Sequence, residues 1–271
     1  TVTAEGGNYG AGIGSGGGSY DGGDHITITG GTVTAEGGNY GAGIGGGYGG
    51  VGDHITIGGG AVTAEGGENG AGIGGGYSGV GDHITITGGT VTAEGGTCGA
   101  GIGGGMYGKG EVTISGGDVT AHGGHTAAGI GGGFRGSGDV TILGGTVTAI
   151  PAEGSNSNVT GIGGGFGCDE KSTVRILGGV VDAVGNGCGS GIGGGEGDVE
   201  VEIGGGAQVT AKGGLGDNKF NRGPGAAIGT NGEKGGKAGK ELDVNASGEG
   251  TVTRINSKLT SDCEHKWTLV S

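Results

Sequence analysis

Proline occurs only twice in the 271 residues. A collagen helix needs proline-rich Gly-X-Y triplets, so collagen is excluded despite the abundant glycine. Lys plus Arg amount to 13 against 27 Asp plus Glu, a formal net charge of −14. So few cations argue against nucleic acid and membrane surfaces as partners. Acidic polysaccharides would need a bridging cation. No apolar run approaches the ~20 residues that span a bilayer. The four cysteines (Cys98, Cys168, Cys188 and Cys263) show no CxxC spacing, which argues against a structural zinc site. Cys98 and Cys188 hold equivalent repeat positions three coils apart, on the order of 14 Å, too far for a disulfide. GxSxG, a phosphate loop with its Lys, and HExxH are all missing. No unique carboxylate pair of the kind a glycosidase uses stands apart from the repeats. Repeat sequence already begins at Thr1 with no signal peptide before it, so a segment of a longer polypeptide is expected.

What is abundant is glycine, 88 residues. Each glycine costs a helix about 1 kcal/mol against Ala, so a helical protein is excluded. Order in the sequence argues against disorder. The block TVTAEGG starts at Thr1, Thr32 and Thr90, and variants start at Ala61, Asp118, Thr146, Val180 and Gln208. Successive starts lie 31, 29, 29, 28, 28, 34 and 28 residues apart, and Thr251 follows a 43-residue unit. Each unit carries TVTA, then GAGIGGG, then HITITGG. All three alternate with period two: Val33 and Ala35 against Thr32, Thr34 and Glu36; Ala42 and Ile44 against Gly41, Gly43 and Gly45; Ile55 and Ile57 against His54 and Thr56. Such alternation reads as short strands. Three strands per repeated unit predict an all-β, right-handed parallel β-helix, a three-sided solenoid of about eight coils. GG pairs such as Gly88-Gly89 and Gly116-Gly117 are expected at its corners. Stacked Val, Ala and Ile would fill a narrow interior, which lets a 31% hydrophobic chain fold. The expected domain is 1–254, with irregular last coils over 207–250. Residues 255–271 would form a C-terminal cap or a linker to a following module.

A solenoid converts repeats into columns spaced ~4.8 Å apart. An aromatic column follows GIGGG: Tyr48, Tyr77, Phe134 and Phe166, with Tyr107 one place later and Tyr20 ending the first unit's longer loop. Tyr9 and Tyr40 form a shorter column on the other side of the GAGIGGG strand. Between them lies a strand whose outward positions are all glycine, which predicts a flat, side-chain-free floor with an aromatic wall. Aromatic faces stack on the C–H faces of pyranose rings, and one coil advances about as far as one sugar of a β-1,4 glycan. The competing reading is rings that cover corners and stabilise one another. A second column, Glu5, Glu36, Glu65 and Glu94 followed by His122, sets like charges at strand spacing. Solvent or a bound cation would offset them, so Glu36, Glu65 and Glu94 are candidate ligands for Ca²⁺. The other reading is a solvated edge that discourages aggregation. No other cofactor is expected. The pairs Asp24/His25, Asp53/His54 and Asp82/His83 invite a catalytic or metal reading. Threefold recurrence in one context favours decoration of a strand edge instead. Threonine arrays such as Thr32/Thr34 and Thr90/Thr92 could bind ice on a flat solenoid face, but Ala61, Asp118 and Val180 interrupt them.

The repeat GGTVTAEGGxxGAGIGGG followed by DHITITGG resembles the glycine-rich β-helical segments of large secreted proteins of gut anaerobic bacteria, over Thr1 to Gly206. Among these it is similar to carbohydrate-binding module family 89, which is attached to xylanases and associated with xylan. The resemblance implies a non-catalytic module for a neutral plant polysaccharide, xylan first, appended to a secreted glycoside hydrolase. Similar repeats occur in adhesins, so a structural stalk of a bacterial surface protein is the alternative, and a polysaccharide lyase or hydrolase a third. The tail from Cys263 to Trp267 resembles the opening of a CxHxW module of large clostridial surface proteins. This implies an extracellular, multimodular parent with covalently linked neighbours. The carbohydrate-binding residues expected are Tyr48, Tyr77, Tyr107, Phe134, Phe166, Tyr20 and Tyr40.

Overall fold

The structure is a computed structural model that describes residues 1–18, 25–152, 158–216, 224–231, 237–242, 246–247, 251–258 and 266–270. Each TVTAE block is a strand with one wet face. In Ala61–Glu65, Val62 and Ala64 are buried while Ala61, Thr63 and Glu65 are exposed. In Gly81–Ile86, Ile84 and Ile86 are buried in the same alternating way. GAGIGGG contributes only two strand residues per coil, such as Ile73–Gly74.

Every repeat strand pairs in parallel with its own equivalent one coil away. Val62 lies between Val33 and Val91, Ile73 between Ile44 and Ile102, and Ile86 between Ile57 and Ile114. Among the described residues this builds three sheets of 10, 8 and 9 strands, here called first, second and third in the order TVTAE, GAGIGGG, HITI. The architecture is the expected right-handed, three-sided parallel β-helix, with about seven regular turns and an irregular eighth. In the first sheet Thr251–Lys258 continues the parallel order, and Lys266–Val270 folds back antiparallel on it.

The interior is a stack of near-identical layers. In the third coil Val62, Ala64, Ile73, Ile84 and Ile86 meet at the centre, none more than 2% exposed. Each fully buried Ile contributes roughly 1.5–3 kcal/mol relative to exposure. The corners turn at a glycine with positive φ, 89° at Gly89 as the pair Gly88-Gly89 leads one to expect, and 93° at Gly60, one residue past the expected pair Gly58-Gly59.

Unit length also has a structural cause. The second and third coils carry GDHITI where the fourth and fifth carry GEVTI and GDVTI. Pairing between Gly81–Ile86 and Gly110–Ile114 slips between Gly81 and Ile84, so His83 is an extra residue in a β-bulge. His25, His54 and His83 adopt left-handed φ of 64°, 50° and 49°. One inserted histidine per coil accounts for 29 residues rather than 28.

One expectation is corrected. The GAGIGGG segment is not a flat outer floor of glycine. It folds inward: the Ala71 N–H donates to the Gly75 carbonyl (2.9 Å), and residues 70–76 are all buried. A Cβ on Gly72 would lie 2.7 Å from Glu94 N and from Gly101 O, both backbone atoms of the next coil. Glycine is needed there for backbone-to-backbone packing, and no bare surface results. Gly72→Ala is therefore expected to destabilise the chain by about 1–3 kcal/mol in urea unfolding. Gly7→Ala, where a Cβ meets nothing within 4 Å, should stay within about 0.5 kcal/mol. Equal effects of the two would refute the packing account.

Candidate functional site

The inward fold of GAGIGGG draws its two ends together, and the aromatic residues sit at those ends. The Tyr48 N–H donates to the Tyr9 carbonyl (2.8 Å), Tyr77 N–H to Tyr40 (2.8 Å), Phe134 N–H to Cys98 (2.9 Å) and Phe166 N–H to Thr126 (3.0 Å). The two expected aromatic columns are thus zipped into one ribbon, with no floor between them. Met106, not Tyr107, takes the backbone place of the aromatic column, donating to Asn69 O (2.9 Å). Tyr107 stands in the next position, at φ 66°, and its ring still bridges Tyr77 (6.0 Å) and Phe134 (5.7 Å). Tyr20 lies outside the described residues.

The ribbon is a herringbone. Tyr9 stacks on Tyr40 (5.3 Å, 10°) and Tyr48 on Tyr77 (5.2 Å, 5°), while Tyr40 stands edge-on to Tyr48 and Tyr77 at 80° and 84°. Parallel rings about 3.5 Å thick whose centroids are 5.2 Å apart must slip sideways by roughly 4 Å. Each step therefore leaves part of a ring face uncovered by its stacking partner. Tyr9, Tyr48 and Tyr107 remain 52%, 39% and 46% exposed, while Tyr40, Tyr77, Phe134 and Phe166 are half-buried. The Arg135 guanidinium lies 5.4 Å from the Phe134 ring centre. This ring ladder is worth about 0.5–1.5 kcal/mol per pair beyond burial, so it also stabilises the rod.

Register puts Glu5, Glu36, Glu65 and Glu94 in one line, followed by His122. All four glutamates are exposed. The backbones of three successive glutamates span two coil spacings, about 9.6 Å, and the column is not among the described groups whose ligand atoms converge. Among the described residues, two other triplets can each bring three ligand atoms together: Asp53, His54 and His83; and Asp82, His83 and Glu111.

These lie at the bulge on the third sheet, a place the sequence pattern had suggested was mere edge decoration. The signal overlooked was the one-residue difference in unit length. The three imidazoles stack at 4.7 Å, tilted by 12° and 15°. His54 Nδ1 is 2.7 Å from Asp53 Oδ1, and His83 Nδ1 is 3.2 Å from Asp53 and 3.3 Å from Asp82. The Asp82 charge, helped by Asp53 and Glu111, outweighs desolvation and raises the pKa of His83. Burial pushes the Asp53 carboxyl up, but the hydrogen bonds and charge of the two histidines outweigh it and hold it below the usual range. Further along the same sheet a groove of ≈290 Å³ is lined by Glu111, Thr113, Asp139, Thr141 and Thr173. Lys109 pairs with Asp139 beside it. The groove offers carboxylates and hydroxyls, donors and acceptors suited to a polyol.

Comparison with protein families agrees with this geometry. The beta helix repeat family model matches residues 1–17, 26–48, 55–77, 84–106, 112–134, 140–166 and 174–196. The chain belongs to the beta helix repeat family. Each match after the first runs from the third sheet through the first and second to the corner that carries Tyr48, Tyr77, Phe134 and Phe166 in four of the coils. The bulge histidines 25, 54 and 83 fall between matches. Searches of curated proteins and of solved structures give no match.

The charge balance at the bulge is testable. An NMR titration of the ring protons should place His83 above the ordinary histidine value, and Asp82→Asn should bring it down. By linkage, the stability gained from protonated His83 is complete below about pH 6.5 and fades as pH rises through the raised folded value. A His83 pKa indifferent to Asp82→Asn would contradict the assignment.

Proposed function

We propose that the chain is a non-catalytic, extracellular carbohydrate-binding rod for a neutral plant polysaccharide, with xylan as the first candidate. The observation that supports this reading is the unbroken ring ribbon from Tyr9 to Phe166, in contact from each ring to the next. Its steps follow the coil spacing, which is close to the advance of one sugar in an extended glycan. Uncovered parts of the ring faces would meet C–H faces, and tyrosine hydroxyls would hydrogen-bond to the sugar. A rigid track holds these contacts in register before binding, which lowers the ordering cost of a multi-contact site. Attachment to a secreted glycoside hydrolase would keep the catalytic module on its substrate. Calcium is not required by this reading.

A stalk that holds other modules away from a cell wall is the second reading. In-register pairing through about seven turns supports it, because such a rod is stiff without any ligand.

Tyr77→Ala combined with Phe134→Ala is expected to abolish retardation in xylan-containing native gels, while the far-ultraviolet circular dichroism keeps its β signature. Retardation equal to the parent chain would remove the ribbon as the binding site. A folded parent chain that is not retarded by xylan, glucan, mannan or pectin would favour the stalk.

A further inference from the structure

We propose that the bulge edge of the third sheet binds one divalent transition-metal ion of the zinc class, held by the Asp53 carboxylate and the imidazoles of His54 and His83. This site is independent of the sugar reading and lies at the third sheet, whereas the aromatic ribbon lies in the turns that flank the second. The three ligand atoms all fall within 4.8 Å of one another. Zinc bonds of about 2.0–2.1 Å in a tetrahedron set ligand atoms roughly 3.3 Å apart. The His83–Asp53 separation of 3.2 Å already matches, and the His54–Asp53 separation of 2.7 Å needs only a small opening. Asp82, 3.3 Å from His83 Nδ1, would supply a fourth ligand.

Donor type selects the ion. Two imidazole nitrogens and a carboxylate suit zinc, cobalt or nickel, whereas calcium seeks six to eight oxygens. The surroundings favour a cation. Nine Asp and Glu precede Lys109, with no Lys or Arg among those 108 residues. Asp82, His83 and Glu111 form a second triplet, but it shares His83, so the stoichiometry is one ion. The Asp53 triplet takes it because it alone offers two imidazoles. Side chains of His54 and His83 are 48% and 52% exposed, which leaves the ion an open entry path. The inserted residue is what builds the site: the bulge carries each imidazole out of the strand's alternation and onto its neighbour's ring. The fourth and fifth coils, which lack the insertion, have a carboxylate there, Glu111 and Asp139, with no histidine beside it. Bound there, the ion fastens the second coil to the third.

The purified full chain, titrated with Zn²⁺ in a calorimeter, should bind one ion. Co²⁺ should give the intense visible absorption of a tetrahedral site, and Zn²⁺ should raise the thermal midpoint. His54→Asn with His83→Asn should weaken Zn²⁺ binding at least tenfold, Asn being chosen because it accepts left-handed backbone. Asp53→Asn serves as the second variant should the double one fail to fold, with the same expected loss. Replacing Glu36, Glu65 and Glu94 by Gln should leave Zn²⁺ binding intact. No binding by the parent chain, undiminished binding by the histidine or Asp53 variants, or loss in the glutamine variant would overturn the proposal.

Discussion

In-register parallel pairing is the constraint from which the rest follows. Each strand residue pairs in register with the equivalent position one coil away, so any residue that repeats becomes a column. For isoleucine this is favourable on every coil, since identical side chains nest in a narrow interior. For tyrosine it yields a ring ladder. For carboxylates it is costly, because like charges at strand spacing repel. The chain answers that cost in two ways along its length. From Lys109 onward, cations are interleaved between coils: Lys109 with Asp139, Lys171 with Glu200, Arg175 with Glu202. Earlier, where Lys and Arg are absent, histidine stands beside each aspartate of the third sheet. The N-terminal coils are therefore the ones whose charge balance rests on imidazoles, side chains that gain and lose protons near neutral pH.

Glycine serves two distinct purposes here. At the corners it supplies positive φ, as at Gly60 and Gly89. Within GAGIGGG it supplies the absence of a side chain. There the peptide groups of one coil lie so close to the next that a Cβ on Gly74 would sit 2.0 Å from Gly103 O. Backbone thereby substitutes for apolar side chains as filling material, which is how a chain with 31% apolar residues encloses a continuous interior. The same inward fold closes the gap between Tyr40 and Tyr48. The aromatic ribbon is a consequence of the glycine packing.

Strands, corners and core were legible because period-two alternation and repeat spacing are local properties. Val62, Ile73 and Ile86 take the places that their pattern predicts. The site was legible only in part. Tyr48 and Tyr77 are aligned and stacked as repeat arithmetic requires, yet their distance from Tyr40 depends on how far the intervening segment bends. Alternation in GAGIGGG suggested an extended strand, and glycine carries no side chain to betray which way it faces. The closeness of the Asp–His pairs across coils was hidden for a similar reason. Adjacent residues in a regular strand point to opposite sides, and only a bulge brings them to one place.

By itself the sequence determined the number of strands per coil, the identity of the inward-facing residues and the coil period, since each is written in spacings along the chain. Tertiary structure alone decided that the glycine segments are interior, that two aromatic columns are one ribbon, and that Asp53, His54 and His83 share a corner. Those outcomes turn on backbone approach between coils and on one inserted residue at φ near 50°. Neither leaves a mark on local hydrophobic pattern, because both arise only when successive turns come into contact.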